Sequence, residues 1–298
     1  MPHLTTPGGV VRAPAGSTGG TGFGVPGWAH PMLAPVEWAV LAQPGLPVHW
    51  AVLDVARGPG ARPDPYCVAA VATLRESGVT VLGHLAMRDG ARSFGELVSD
   101  AHRFLDWYGV DGFYLADCPS GRVDLSETAR TVTTLRALCV QQRRYQHRHR
   151  VIAGRSVGGG SVAGRGAPRG VDEPVRCPEG RDPAAGPHPL LVFGHGTHPH
   201  PGYADLADQL VTFSGGWTAY RWSQAADWTA DHPPERFCHL VHGVPRMHID
   251  EALRVARWQG AGTVWFTDRT DREGQNPWEA LPGYWDELVS RLGPGVSE

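Results

Sequence analysis

Lysine is absent from all 298 residues, so the 27 basic side chains are arginines. That excludes a Schiff-base lysine and a phosphate-binding P-loop lysine. Asparagine occurs once, at Asn276, and isoleucine only at positions 152 and 249. A bias this broad reads as a GC-rich coding background. Cysteines are few (67, 118, 139, 177 and 238), form no Cys-x-x-Cys pair and are odd in number. This pattern points to a reducing compartment. No apolar run approaches the roughly 18 residues of a membrane span. Residues 1–22 are mostly Gly, Pro, Thr and Ser, without the apolar stretch of a signal peptide. A cytoplasmic chain with no membrane partner is expected. The net charge of −3 sets up no field that would recruit nucleic acid, which is not expected as a partner.

The most informative stretch present runs from Val110 to Pro119. A short apolar run, Phe113 to Ala116, ends in Asp117, Cys118 and Pro119. This is how a buried parallel strand delivers a carboxylate to the rim of a sheet. The preceding segment spaces Phe94, Leu97, Val98, Ala101, Phe104, Leu105 and Tyr108 as a helix packed on that sheet. The same alternation recurs along the chain. Strands are predicted at 24–30, 49–54, 79–85, 112–116, 190–194, 210–213, 237–242 and 263–267. Helices are predicted at 36–42, 66–77, 94–108, 125–138, 203–207, 217–226, 249–258 and 278–292. Eight strands, each followed by a helix, make an α/β chain of one (β/α)8 TIM barrel over residues 23–293, preceded by a disordered tail at 1–22. Residues 141–188 interrupt the rhythm with nine arginines against four acids, nine glycines and almost nothing apolar. They are expected to form a disordered insertion between strands four and five. Such a tract can bind polyanions, and a plain loop expansion is the preferred reading.

Active sites of such barrels lie at the carboxyl ends of the strands. Those ends carry His30, Asp54, His84, Asp117, His195, Ser214, His242 and Asp268, with Asp89, Arg92, His198, His200, Trp217 and Tyr220 just beyond. Acids supply proton-transfer or nucleophilic chemistry and aromatic faces stack on sugar rings, so a carbohydrate or small-molecule ligand is expected. The candidate catalytic acids are Asp117, Asp54 and Asp268. The candidate ligand-binding residues are His30, His84, Arg92, His195, His198, Trp217, Tyr220 and His242. Each has a plainer alternative. Asp54 caps its loop, Asp268 sits in an ion pair, and His30 and His242 are satisfied rim histidines. His195, His198 and His200 lie within six residues and raise a metallohydrolase alternative. Their Gly, Thr and Pro spacing favours a rigid loop instead, and neither metal nor cofactor is expected.

Several ordered motifs resemble one family. Val25-Pro-Gly-Trp-Ala-His-Pro31 with Trp38 resembles its opening strand, and Leu53-Asp-Val-Ala-Arg-Gly-Pro-Gly60 is similar to its Asn-Pro-x-Ser-Gly-Pro-Gly loop. Val81-Leu-Gly-His-Leu85 with Asp89-Gly-Ala-Arg92, Trp107-Tyr-Gly-Val-Asp-Gly112, Gly196-Thr-His-Pro199 with Tyr203 and Asp208, and Thr267-Asp268 continue the series. From these the chain is identified as similar to the spherulin-4 family, over about residues 24–292. The family is related to (β/α)8 glycoside hydrolases acting on galactosaminogalactan-type polysaccharides. The resemblance implies an Asp-Glu pair at the end of strand four, where Ala116 and Asp117 stand. It implies a glutamate after the Thr-Phe of strand six, where Ser214 follows Thr212-Phe213. The family's asparagines at strands two and five are Asp54 and Gly194 here. Three readings follow: a glycoside hydrolase with Asp117 as acid and Asp54 or Asp268 as partner, a barrel that binds carbohydrate or a metabolite without cleaving it, and the histidine metallohydrolase.

Overall fold

The computed structural model describes residues 20–27, 29–55, 57–156 and 188–292. Eight parallel strands close into a barrel in sequence order. They are β1 (Gly22–Val25), β2 (Val48–Leu53), β3 (Thr80–Ala86), β4 (Gly112–Ala116), β5 (Leu190–Gly194), β6 (Gln209–Gly216), β7 (Phe237–His242) and β8 (Thr263–Phe266). The apolar runs that mark them are buried almost without exception, because a parallel strand is covered on both faces. The sequence-predicted (β/α)8 barrel is therefore the fold.

The base of the barrel is closed by a hydrogen-bonded polar plug. Trp50 Nε1 donates to Gln209 Oε1 at 2.7 Å, and Gln209 Nε2 donates to Thr263 Oγ1 at 2.8 Å and to the Glu235 carbonyl at 2.9 Å. Gly24 makes room for the indole, since a Cβ there would lie 2.3 Å from it. Every amide atom of Gln209 that faces the interior is thus satisfied, as burial demands.

The outer layer holds α1 (Pro35–Leu41), α2 (Pro65–Glu76), α3 (Phe94–Arg103), α4 (Leu125–Ser156), α5 (Trp217–Tyr220), α6 (Ile249–Trp258) and α7 (Trp285–Leu292). Gly83 of β3 admits Phe104, whose ring lies 2.7 Å from where a Cβ would stand. The expected segments differ from this in places. The segment expected at 203–207 is a 3₁₀ turn, Pro201–Asp205. α5 stops after one turn because Ser223 turns back on Tyr220, its amide and hydroxyl both donating to that carbonyl. α7 begins only after Pro282 and Gly283, which cannot continue a helix from 278. β1 already includes Gly22, so the tail expected at 1–22 ends earlier, and residues 1–19 lie outside the described residues.

The expected insertion at 141–188 also needs correction. Residues 141–156 prolong α4, and Arg143 donates to the Asp111 carbonyl at 3.0 Å. Glutamine and arginine are strong helix formers even without an apolar stripe, which is why periodicity missed this segment. The part of the expected insertion at 157–187 lies outside the described residues.

Candidate functional site

The carboxyl ends of β2, β3 and β4 build the most chemically loaded part of the barrel mouth. His84 points inward from β3, and its ring stacks on Tyr114 of β4 at 6.2 Å and 18°. Nδ1 of His84 is buried without a hydrogen bond and lies 3.9 Å from Oδ2 of Asp54. Burial lowers the pKa of this imidazole, while Asp54 and Asp117 both pull it upward and Arg57 and Arg92 push it down. Asp54 and Asp117 follow the two strands that pair with β3, and both act electrostatically on this imidazole.

Asp117 is exposed at the tip of β4. Its backbone sits in the left-handed region at φ +50°, its carbonyl accepts the Asp89 amide at 2.8 Å, and the next amide, Cys118, donates to the Gly194 carbonyl at 3.1 Å. Arg57, Arg88 and Asp89 share the same backbone region, with φ of 55°, 51° and 52°. Each such residue costs on the order of 1 kcal/mol. All four lie on the loops after β2, β3 and β4, the side that carries Asp54, His84 and Asp117. Asp54 also accepts the Gly58 amide at 3.0 Å, so its loop-capping role and its place beside His84 hold together.

Other sequence-predicted site residues are committed elsewhere. Arg92 is mostly buried, paired with Asp100 of α3 and bonded to the Ala86 carbonyl at 3.4 Å. Asp268 is exposed on the far side, where Oδ1 accepts the Gly283 amide at 2.9 Å. Its expected ion pair with Arg269 is replaced by this loop-holding bond. His242 lies 3.8 Å from an Asp271 oxygen and meets Trp278 edge-on at 5.7 Å. Trp278 is a half-buried indole on that rim which the sequence reading placed in a helix.

The expected aromatic platforms need correction. Tyr220 has no exposed surface, and its hydroxyl meets Nδ1 of His239 at 2.8 Å. Trp217 is 6% exposed, with its ring against His248 and the Arg221 guanidinium over it. Neither ring presents a free face to a sugar. His239, buried between Tyr220 and the Thr212 hydroxyl at 3.1 Å, has its pKa lowered by burial to about 3.

Among the described residues, His195, His198 and His200 do not gather at metal-ligand spacing, so nothing supports the metallohydrolase alternative. His195 packs edge-on against Tyr203 at 4.8 Å, with burial lowering its pKa to about 4. His198 lies 6.4 Å from Trp228, and Nδ1 of His200 accepts the Gly202 amide at 3.1 Å. Among the described residues, the one group with metal-ligand spacing is His30, Asp64 and Cys67. The sequence reading named His30 alone. Asp64 and Cys67 carry no signal of their own in the sequence, and only the fold brings them to His30.

The family pattern of spherulation-specific family 4 matches residues 25–292, nearly the whole barrel. The chain belongs to spherulation-specific family 4. None of the curated proteins matches it by sequence. Among solved structures, the barrel is similar to Sph3 of Aspergillus clavatus, determined in complex with GalNAc. That match has a TM-score of 0.65 and 19% identity, and it covers 92% of this chain and 97% of that one. A GH18 chitinase from Pseudoalteromonas aurantia matches with a TM-score of 0.43 and 11% identity, over 91% of this chain and 100% of that one. These likenesses concern the fold. In this member of spherulation-specific family 4, the glycine at the end of β5 has a visible packing reason. A Cβ at Gly194 would lie 2.7 Å from the hydroxyl oxygen of Tyr114. The tyrosine fills the space that a larger residue on β5 would enter.

Proposed function

We propose that this barrel binds an amino-sugar polymer across its mouth and cleaves it as a glycoside hydrolase, with Asp117 as general acid and Asp54 as the partner carboxylate. One observation carries the reading: Asp54 lies 3.9 Å from His84 of β3 and Asp117 follows β4, the strand paired with β3, whereas Asp268 is tied to Gly283 after β8. Paired carboxylates about one glycosidic bond are what this hydrolysis needs. His84 stays neutral and positions the pair, and Trp278 offers an indole surface for a sugar ring. The GalNAc complex of Sph3 supports an amino sugar as the ligand class.

The test is reducing-end release from a GalNAc-containing polymer by the wild type, Asp117→Asn and Asp54→Asn. The expected outcome is turnover by the wild type and a loss of at least about a hundredfold in each variant, with oligosaccharide binding retained. Turnover by Asp117→Asn equal to the wild type would remove Asp117 from the chemistry. A second reading, binding without cleavage, is favoured by Ala116, which stands where the family resemblance implies the first acid. Oligosaccharide binding with no product from the wild type would assign that reading.

A further inference from the structure

Away from Asp54, His84 and Asp117, three ligand-type side chains converge where the loop after β1 meets the first turn of α2. His30, Asp64 and Cys67 each offer one ligand atom, all within 4.8 Å of one another. Nε2 of His30 lies 3.5 Å from Sγ of Cys67 and 3.5 Å from Oδ2 of Asp64. Tetrahedral zinc, with bonds of about 2.0–2.1 Å to nitrogen or oxygen and about 2.3 Å to sulfur, has ligand-to-ligand edges of roughly 3.3–3.6 Å. Both measured edges already have that length.

The surroundings hold the three groups in place. Oδ1 of Asp64 caps α2 by accepting the amides of Tyr66 and Cys67 at 2.9 and 3.2 Å, which leaves Oδ2 to face His30. The Tyr108 hydroxyl accepts the Asp64 amide at 3.3 Å and donates to the Pro59 carbonyl at 2.9 Å, fixing the backbone on which the cap rests. Trp38 Nε1 donates to the Ala29 carbonyl at 2.9 Å and steadies the residue before His30. Cys67 is fully buried at the back, while the side chains of His30 and Asp64 are 20% and 30% exposed. An ion can therefore enter from solvent and keep a water in the fourth position.

We propose that His30, Asp64 and Cys67 form a site for a thiophilic divalent cation of the zinc class. Sulfur, imidazole and a single carboxylate suit zinc or cobalt, whereas magnesium and calcium require sets of oxygen ligands. On binding, the metal–sulfur bond forms and the Cys67 thiol proton passes to solvent. The His30 proton moves from Nε2 to Nδ1, and the exposed Met32 amide that donates to Nδ1 at 3.2 Å turns to water. The bound ion would clamp the loop after β1 to the segment that follows β2, the one that begins at Asp54.

The test is a titration of the full-length, untagged, chelator-treated chain with cobalt(II). The expected result is one ion per chain, a thiolate-to-cobalt charge-transfer band in the near ultraviolet, displacement by zinc, and no competition from magnesium. Cys67→Ser should lose the band. Asp64→Asn keeps the helix cap and should bind at least tenfold more weakly, as should His30→Gln. Circular dichroism establishes that each variant is folded, and if Cys67→Ser does not fold, the Asp64 and His30 variants decide. A wild type without the band, a band that survives in folded Cys67→Ser, or unchanged affinity in the other two variants would overturn the proposal.

Discussion

Around β2, β3 and β4 the mouth carries an imidazole nitrogen with no hydrogen bond, the Asp54 carboxylate 3.9 Å from it, Asp117 at the next strand end and four non-glycine residues in the left-handed region. Around β6, β7 and β8, His239 sits between Thr212 and Tyr220 and Asp268 holds the Gly283 amide, while Oε1 of Gln259 before β8 is buried without a hydrogen bond. Both halves are made of the same strand-and-loop unit, so architecture does not explain the difference. Buried polar groups are nearly always paired, and unpaired ones with strained backbone gather where a protein meets its ligand. The proposed chemistry therefore lies on the β2–β4 side, and the β6–β8 side is proposed to be the more rigid.

Four measurements would break or sharpen that assignment. The largest effect is expected on the chemical side, where Asp117→Asn should slow turnover by about a thousandfold, or about 4 kcal/mol in barrier, with little change in the unfolding midpoint. Next comes the rigid side. His239→Leu leaves the hydroxyls of Tyr220 and Thr212 without partners in the core. It should lower unfolding free energy by about 2–3 kcal/mol in urea titration while oligosaccharide affinity stays the same. An equal loss of affinity would merge the two halves.

The third measurement is a pH series. Burial holds His195 at about 4 and His239 at about 3, below the ordinary 6.5 that each regains on unfolding. The unfolded chain therefore takes up these protons first as pH falls. Stability is full above pH 6.5 and declines between roughly pH 6 and 4, by about 1.4 kcal/mol per pH unit for each histidine. Urea midpoints at pH 7, 6 and 5 check this, and His239→Leu should remove its share of the slope. The smallest effect is Asp268→Asn, which keeps an acceptor for Gly283 on an exposed rim. It should change stability by under about 0.5 kcal/mol and turnover by less than twofold. A hundredfold fall in turnover would move the chemistry across the barrel.

The barrel itself was readable because buried parallel strands are short apolar runs, and Phe113 to Ala116 or Leu190 to Phe193 can be little else. The continuation of α4 past Gln141 was not, since glutamine and arginine form helices without leaving an apolar stripe. In the site, Asp54, His84 and Asp117 could be named from their places at strand ends. That these strand ends are neighbours depends on the barrel's pairing, which places His84 opposite Tyr114. Trp217 and Tyr220 looked like platforms because aromatic side chains beyond a strand end carry no sign of what covers them. His30, Asp64 and Cys67 lie on separate segments, and no spacing rule links them before the β1 and α2 regions meet.

The fit between Tyr114 and Gly194 also constrains how this chain can change. A Cβ at position 194 meets the tyrosine hydroxyl at 2.7 Å and the Leu115 carbonyl at 3.2 Å. Any side chain at position 194 would require Tyr114 to shift. The glycine on β5 and the tyrosine on β4 are held together by packing, so neither position can be redesigned without the other.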